Sequence, residues 1–243
     1  METIKPYKAC HVHDKESCLT CPSRINGIFS DLAEKHLQQL DLHKSNHHYK
    51  KGQTIFYEES DCPGVFCLVS GQVKLVKNGA EGKETLYKII SPGEAIGVYD
   101  IISKQSSNVT AVAMQDTEVC FVDKKFIIGL IKNDSDLALK VIQKMTQDLH
   151  DFENRLNDIQ NKDVQQRIAK LLFVLSSTHG TETEQGLFLD IKLTRSDMAA
   201  MVSTTPESVM RTLSEFKNFG HIDLISKKIY LKKIEEIRQI AEV

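Results

Sequence analysis

The sequence predicts an α+β fold in which a β-sandwich or barrel is followed by a long helix and a C-terminal winged helix-turn-helix. Three observations predict it. Between Lys50 and Asp123, short β-branched and aromatic runs alternate with Gly, Pro, Asn and Asp. From Ala138 to Ile159, apolar residues recur at alternating steps of four and three. After Leu193, two short helical patterns flank a tight turn and lead into a hairpin.

With 243 residues, 41% of them hydrophobic, the chain is long enough for two cores. No apolar run approaches the roughly 18 residues needed to span a bilayer. The start METIKPYKACHVHDKE lacks the apolar stretch of a secretory leader. The expectation is a cytoplasmic chain without membrane contact. Six cysteines in such a chain read as ligands, sensors or core residues rather than a disulfide scaffold.

Taken in order, residues 1–26 form a Cys/His-rich arm holding Cys10, His11, His13, Cys18 and Cys21. Cys18 and Cys21 have a chelate spacing that is weak evidence alone. Phe29 to Leu42 reads as a short amphipathic helix with Leu32, Leu37 and Leu40 on one side. His43, His47 and His48 read as a solvated loop, with haem ligation as the alternative. The β-domain, residues 27–134, contains the runs TIFYEE, VFCLVSG, QVKLVKNG, ETLYKII, SPGEAIG, NVTAVAM and TEVCFVD. Cys62 and Cys67 alternate with apolar strand residues and read as filler in the core or a loop.

Residues 135–162 form the long helix. Its seam comprises Ala138, Ile142, Met145, Leu149, Phe152, Leu156 and Ile159, separated mostly by polar residues. This apolar face is longer than one small β-domain needs, which favours dimerisation; packing on the chain's own β-domain is the alternative. Residues 163–243 form the C-terminal domain. It opens with a helix, Val164 to Ser177, followed by a polar loop, THGTETEQG.

Thr194 can cap the next helix, with Asp197 three positions on. Ser203 and Thr204 supply a turn. Thr205 caps a second helix, Pro206 occupies its first turn, and Gly220 ends it. Ile222–Ile225 and Ile229–Leu231 read as the wing. From Ile191 to Lys233 there are eight basic and four acidic residues, a local surplus suited to phosphate contact although the whole chain carries −2. The exposed start of the second helix presents Glu207, Ser208, Met210 and Arg211. Glu207 can accept from cytosine N4 and Arg211 can donate twice to guanine; an ordinary i,i+4 ion pair is the alternative.

At this point the chain resembles the CRP/FNR family of regulators along nearly its whole length. The carriers are KKGQTIFYEES, LVSGQVKL, SPGEAIG, the long seam helix and TRSDMAAMVSTTPESVMRTLSEFK. The resemblance implies a sensory β-roll (jelly roll) like a cyclic-nucleotide-binding domain. It further implies a homodimer, a palindromic duplex DNA site, and RNA polymerase as a partner. Thr194 and Arg195 resemble the family's phosphate-contacting helix start, Glu207 and Arg211 its base-reading pair; Thr205, Ser208, Met210 and Lys217 complete the implied DNA face. The FNR subgroup usually has a serine where this chain has Met210, so the half-site is expected to differ at one base, with contact to a thymine methyl as one outcome.

Relatives that bind cyclic AMP follow a Gly-Glu pair with a phosphate-clamping arginine. Gly93-Glu94 is present, but no arginine occurs between Arg24 and Arg155. A lysine such as Lys104 lacks the bidentate fork, so Glu94 is expected to be a plain loop residue. The FNR pattern of arm cysteines plus a β-roll cysteine matches Cys18, Cys21 and Cys120. A further FNR arm cysteine has no counterpart near Asn26 and Gly27, which leaves Cys10 as the fourth thiolate for an iron–sulfur cluster. Zinc on Cys10, His13, Cys18 and Cys21, a thiol–disulfide switch in the CxxC pair, another small ligand, or no cofactor with Cys120 a core residue are the alternatives.

A β-barrel enzyme is disfavoured, because no histidine lies between His48 and His150 and no nucleophile–base pair or phosphate-binding glycine loop appears. A metal-storage scaffold would leave the helix-turn-helix without a purpose.

Overall fold

The computed structural model describes residues 17–79, 84–226 and 228–242. Cys10, His11 and His13 lie outside them. Two compact units divide between His150 and Asp151.

The first unit begins with a 3-10 turn, Pro22–Asn26, and helix α1 (Glu34–His43). Strands β1 (Lys44–Tyr49), β2 (Thr54–Phe56), β3 (Gly64–Ser70), β4 (Val73–Asn78), β5 (Glu84–Ile90) and β6 (Ala95–Ile96) follow. After α2 (Val98–Ser103) come β7 (Thr110–Ala113), β8 (Thr117–Asp123), α3 (Lys124–Asn133) and α4 (Ser135–Asn161), whose part from Asp151 onward belongs to the second unit. The strands make two four-stranded antiparallel sheets, in the orders β1-β8-β3-β6 and β2-β7-β4-β5. Each of the seven runs noted in the sequence supplies one of the strands β2 to β8. Phe66, Leu68, Val73, Ala111 and Val119 are buried in one cluster drawn from both sheets. Burying each large apolar side chain there contributes roughly 1.5–3 kcal/mol.

Gly71, between β3 and β4, has φ +90°. A Cβ there would lie 2.7 Å from the Asp116 carbonyl oxygen, so LVSGQVKL needs glycine on two counts. A second cluster packs Leu37 and Leu40 of α1, Ile127 and Leu130 of α3, and Leu137 and Val141 of α4 around Val65 and Val122.

The second unit holds α5 (Val164–His179), β9 (Gly180–Thr183), β10 (Gly186–Leu189), α6 (Arg195–Met201), α7 (Pro206–Asn218), β11 (Ile222–Ile225), β12 (Lys228–Leu231) and α8 (Ile234–Ala241). Its strands form one sheet in the order β11-β12-β10-β9. Ile168 and Leu172 of α5, Met198 of α6, Leu213 and Phe216 of α7, and Ile237 of α8 are almost wholly buried in its core.

Four expectations need correction. KSNHHY is strand β1 rather than a loop; it pairs along its length with β8, and His43 stacks on Phe126 at 4.2 Å. Backbone pairing holds this edge strand, whose middle residues stay exposed, so no apolar alternation marks it. The first helix starts at Glu34, and Leu32 is buried just before it. THGTETEQG is largely a hairpin, with Thr183 opposite Gly186, recruited as the edge of the second sheet. Glu94 also does more than occupy a loop: its carboxylate accepts from the Ser91 main-chain N–H at 2.8 Å and pairs with Lys88 at 3.0 Å.

The start of α5 carries a full capping box, in which Asp163 accepts from the Gln166 N–H at 2.8 Å and Gln166 returns the bond at 3.0 Å. Asp163→Ala is expected to lower unfolding stability by about 1 kcal/mol. Urea unfolding followed by circular dichroism measures it, and an unmoved transition would show that the cap carries no stability.

Candidate DNA-reading face and thiol-lined cavity

Helix α6 starts with the second capping box of the domain: Thr194 Oγ1 accepts from the Asp197 N–H at 3.0 Å, and Asp197 Oδ2 accepts from the Thr194 N–H at 3.0 Å. Ser203, at φ +54°, makes the turn. Thr205 Oγ1 caps α7 by accepting from the Ser208 N–H at 3.3 Å, with Pro206 in the first turn, where its missing N–H costs nothing. Gly220, at φ +71°, closes α7, and the His221 N–H reaches the Phe216 carbonyl at 2.9 Å. The wing closes with Ile225 opposite Lys228.

The buried face of α7 is Val209, Thr212, Leu213 and Phe216, which leaves Glu207, Met210 and Arg211 exposed and Ser208 half-buried. Among the described residues no ion pair joins Glu207 to Arg211, so both remain available to a partner. The main-chain N–H of Glu207 and the Thr205 hydroxyl hold the Glu207 carboxyl below its ordinary range, which keeps it an acceptor at neutral pH. Arg195 is half-buried; burial lowers its pKa, and its Nη1 lies 3.4 Å from Met198 Sδ. Lys217 pairs with Asp223 at 3.7 Å, so a phosphate must compete for it.

Two arginines grip the end of α6. Arg155 Nη2 donates to the Ala200 carbonyl at 3.0 Å, and Arg167 Nε donates to the Val202 carbonyl at 2.9 Å. These satisfy acceptors that the helix terminus would otherwise leave open.

On α4, Leu137 and Val141 are buried, whereas the seam points outward: Ile142 is 58% exposed, Leu149 55% and Phe152 45%, with Met145, Leu156 and Ile159 also exposed. Thus the face that packs on the β-domain is not the seam. Asp148, between seam positions, accepts from Tyr99 at 2.8 Å and pairs with Lys144 at 3.0 Å and Lys88 at 3.3 Å. Burial acts to raise its pKa, but Lys88, Lys144 and Tyr99 outweigh burial and hold it below the carboxylate range.

A recess of about 270 Å³ beside Glu94 is lined by Tyr99, Lys140 and Lys144. Both lysines already have carboxylate partners, Asp31 and Asp148 respectively. The loop from Ser103 to Asn108 is tied to its surroundings, with Ser107 Oγ donating to Asp100 of α2 at 2.8 Å and the Ser107 N–H donating to the Ser60 carbonyl at 3.0 Å.

A smaller cavity of about 60 Å³ is lined by Cys18, Cys21, Cys67 and Cys120, with Arg24 and Lys44. Cys18 is set by its main-chain N–H, which donates to Asp41 Oδ1 at 2.9 Å. Ser23 Oγ donates to the Val69 carbonyl at 2.8 Å and fastens the segment to β3. Burial pushes the Cys18 thiol up to about 11 and the Cys120 thiol up to about 12, with Lys44 pulling both down. Part of the Cys67 residue reaches solvent, yet burial pushes its thiol well above the ordinary range. Cys62 is elsewhere, buried and donating to the Gly64 carbonyl.

The structure therefore brings together three of the four expected thiols and places Cys67, read in the sequence as filler, beside them. Cys67 was hidden because its neighbour is a cross-strand one, Cys120 directly opposite on β8. Among the described residues, no three His, Cys, Asp or Glu side chains are gathered tightly enough for a single metal ion. An iron–sulfur cluster suits the cavity's chemistry: soft donors, partial shelter, and two cations to offset thiolate charge.

No helix is long and apolar enough to cross a membrane among the described residues. Comparison with known proteins agrees with the geometry. The family model for the cyclic nucleotide-binding domain matches residues 46–134, and that for the Crp-like helix-turn-helix domain matches residues 166–240. The chain is 23% identical over 215 residues to the CRP-like cAMP-activated global transcriptional regulator of Mycobacterium tuberculosis, covering 88% of this chain and 96% of that one. It is 24% identical over 219 residues to the anaerobic regulatory protein of Bacillus subtilis, covering 89% and 90%. FixK2 from Bradyrhizobium japonicum has the same fold, with a TM-score of 0.73 at 21% identity over 81% of this chain and 96% of that chain. With a matching sensor domain, a matching reading domain and end-to-end relatives, the chain belongs to the CRP/FNR family of DNA-binding transcription regulators, which are not enzymes.

Proposed function

We propose that this regulator works in the cytoplasm as a homodimer joined along the α4 seam, binds a palindromic duplex site with α7 of each protomer, and answers to a redox or oxygen signal through an iron–sulfur cluster. DNA-bound, it addresses RNA polymerase. The observation that carries the redox reading is the convergence of Cys18, Cys21 and Cys120 on one cavity of the β-domain. The absence of an arginine between Arg24 and Arg155, and the engagement of Glu94 by Lys88 and Ser91, argue against cyclic AMP as the signal. The exposed seam supports the dimer. Relatives bear names of both kinds, cAMP-activated and anaerobic.

When bound, the cluster would supply oxygen sensitivity. The residues' own part is to hold it against β3 and β8, with Arg24 and Lys44 offsetting its charge. The test is a gel shift on a palindromic duplex at fixed salt, with protein purified anaerobically and then exposed to air. Affinity should fall on exposure and remain unchanged by cyclic AMP. Equal binding before and after air, or tightening by cyclic AMP, would overturn the redox reading.

A further inference from the structure

We propose that Cys18, Cys21, Cys67 and Cys120 form one four-thiolate metal site, with Cys67 rather than Cys10 as the fourth ligand; this rests on the cluster reading above. Cys67 and Cys120 are opposite each other in the β3–β8 pairing, so both side chains leave the same face of the sheet. That face forms one wall of the small cavity, and the segment carrying Cys18 and Cys21 forms another. The wall from the arm is fixed rather than draped, because Ser23 is bonded to Val69, two residues beyond Cys67, and Cys18 to Asp41. The set is therefore complete within the β-domain, and no residue before Cys18 is required.

A second observation points to a ligand. Arg24 Nε is buried and has no acceptor among the described residues, although Arg24 lines the cavity. A buried donor without an acceptor is destabilising, and sulfur on a bound centre would supply the acceptor. Lys44 lines the same cavity and places a second cation beside the thiols. Among the described residues no three such side chains are gathered for a single metal ion, which favours a cluster over zinc. Tetrahedral zinc draws its sulfurs to about 3.8 Å apart, whereas a cluster places each thiolate on a different iron and suits a wider cavity.

The experiment uses the full chain purified without oxygen, measuring bound iron, acid-labile sulfide and zinc, and the visible absorption of the cluster. Cys18→Ser, Cys21→Ser, Cys67→Ser, Cys67→Ala and Cys120→Ser should each lose the bound metal and sulfide and the visible absorption. Cys10→Ser and Cys62→Ser should keep them. Circular dichroism of each variant reports folding. Should both Cys67 variants misfold, Cys10→Ser decides alone, since the proposal requires it to retain its metal. A cluster lost in Cys10→Ser and retained in the Cys67 variants would overturn this ligand set while leaving the cluster reading intact. Zinc that disappears in the Cys67 variants and stays in Cys10→Ser would uphold the ligand set and overturn the cluster. Wild-type protein with no metal, or with a Cys18–Cys21 or Cys67–Cys120 disulfide in its place, would overturn both.

Discussion

Arg211→Ala is expected to abolish specific DNA binding while leaving the fold unchanged. The side chain lies on the exposed face of α7, opposite Val209, Leu213 and Phe216, so removing it disturbs no packing. Its guanidinium is the one group on that face able to donate a planar pair of bonds to guanine. Losing such a pair costs about 1–3 kcal/mol at each half-site, and a two-fold dimer loses it twice. Affinity for the cognate duplex should fall roughly 30-fold to 20,000-fold at tenfold per 1.4 kcal/mol. Binding to a scrambled duplex, which rests on phosphate contact, should change far less. Fluorescence anisotropy on both duplexes at one salt concentration measures the difference. An undiminished preference for the cognate sequence would remove Arg211 from the base-reading role.

If the chain dimerises along the seam as proposed, the double substitution Leu149→Asp with Phe152→Asp is expected to yield monomer and to abolish tight operator binding with it. Both side chains are exposed in the single chain, so neither change empties a core. In a seam dimer, however, each aspartate faces apolar residues and its own symmetry mate across a dry interface. An ionised carboxylate there has no partner, and the monomer, where it meets water, becomes the favoured state. Sedimentation equilibrium reads the mass directly. A dimer that persists would place the interface elsewhere on the chain.

How much of this was legible in the sequence depends on whether local chemistry or long-range pairing dictates each part. The caps at Thr194 and Thr205, the stop at Gly220 and the seam from Ile142 to Ile159 are local: each depends on side chains within one or two turns. Their positions could be read directly. Strand β1 is different. KSNHHY has no apolar alternation, and β8 makes it a strand by offering a row of backbone partners. The same holds for β9, where GTET is ordered by β10. Cys67 is the most instructive case. Spacing along the chain ranks Cys10, Cys18 and Cys21 together, whereas the sheet register puts Cys67 opposite Cys120. Chelate motifs written as short intervals cannot reveal a neighbour supplied by a paired strand. Glu94 was judged by the missing arginine, and its actual partners, Lys88 and the Ser91 amide, belong to a hairpin whose register no motif states.

The arginine grip on α6 turns the seam into a gauge of angular phase. Arg155 stands within the stretch of α4 that carries the seam, and Arg167 on α5, yet both hold carbonyls at the end of the helix that precedes the DNA reader. Successive residues of an α-helix are about 100° apart around its axis. Any repacking of the seam that turns the last part of α4 therefore turns Arg155 by the same angle, and the carbonyl it holds is drawn along. Duplex half-sites repeat about every 34–36 Å, one turn of the double helix. Two readers out of phase by a fraction of a turn meet phosphate where they should meet base edges. In the proposed seam dimer, a small rotation too slight to separate the protomers would thus be enough to detune recognition.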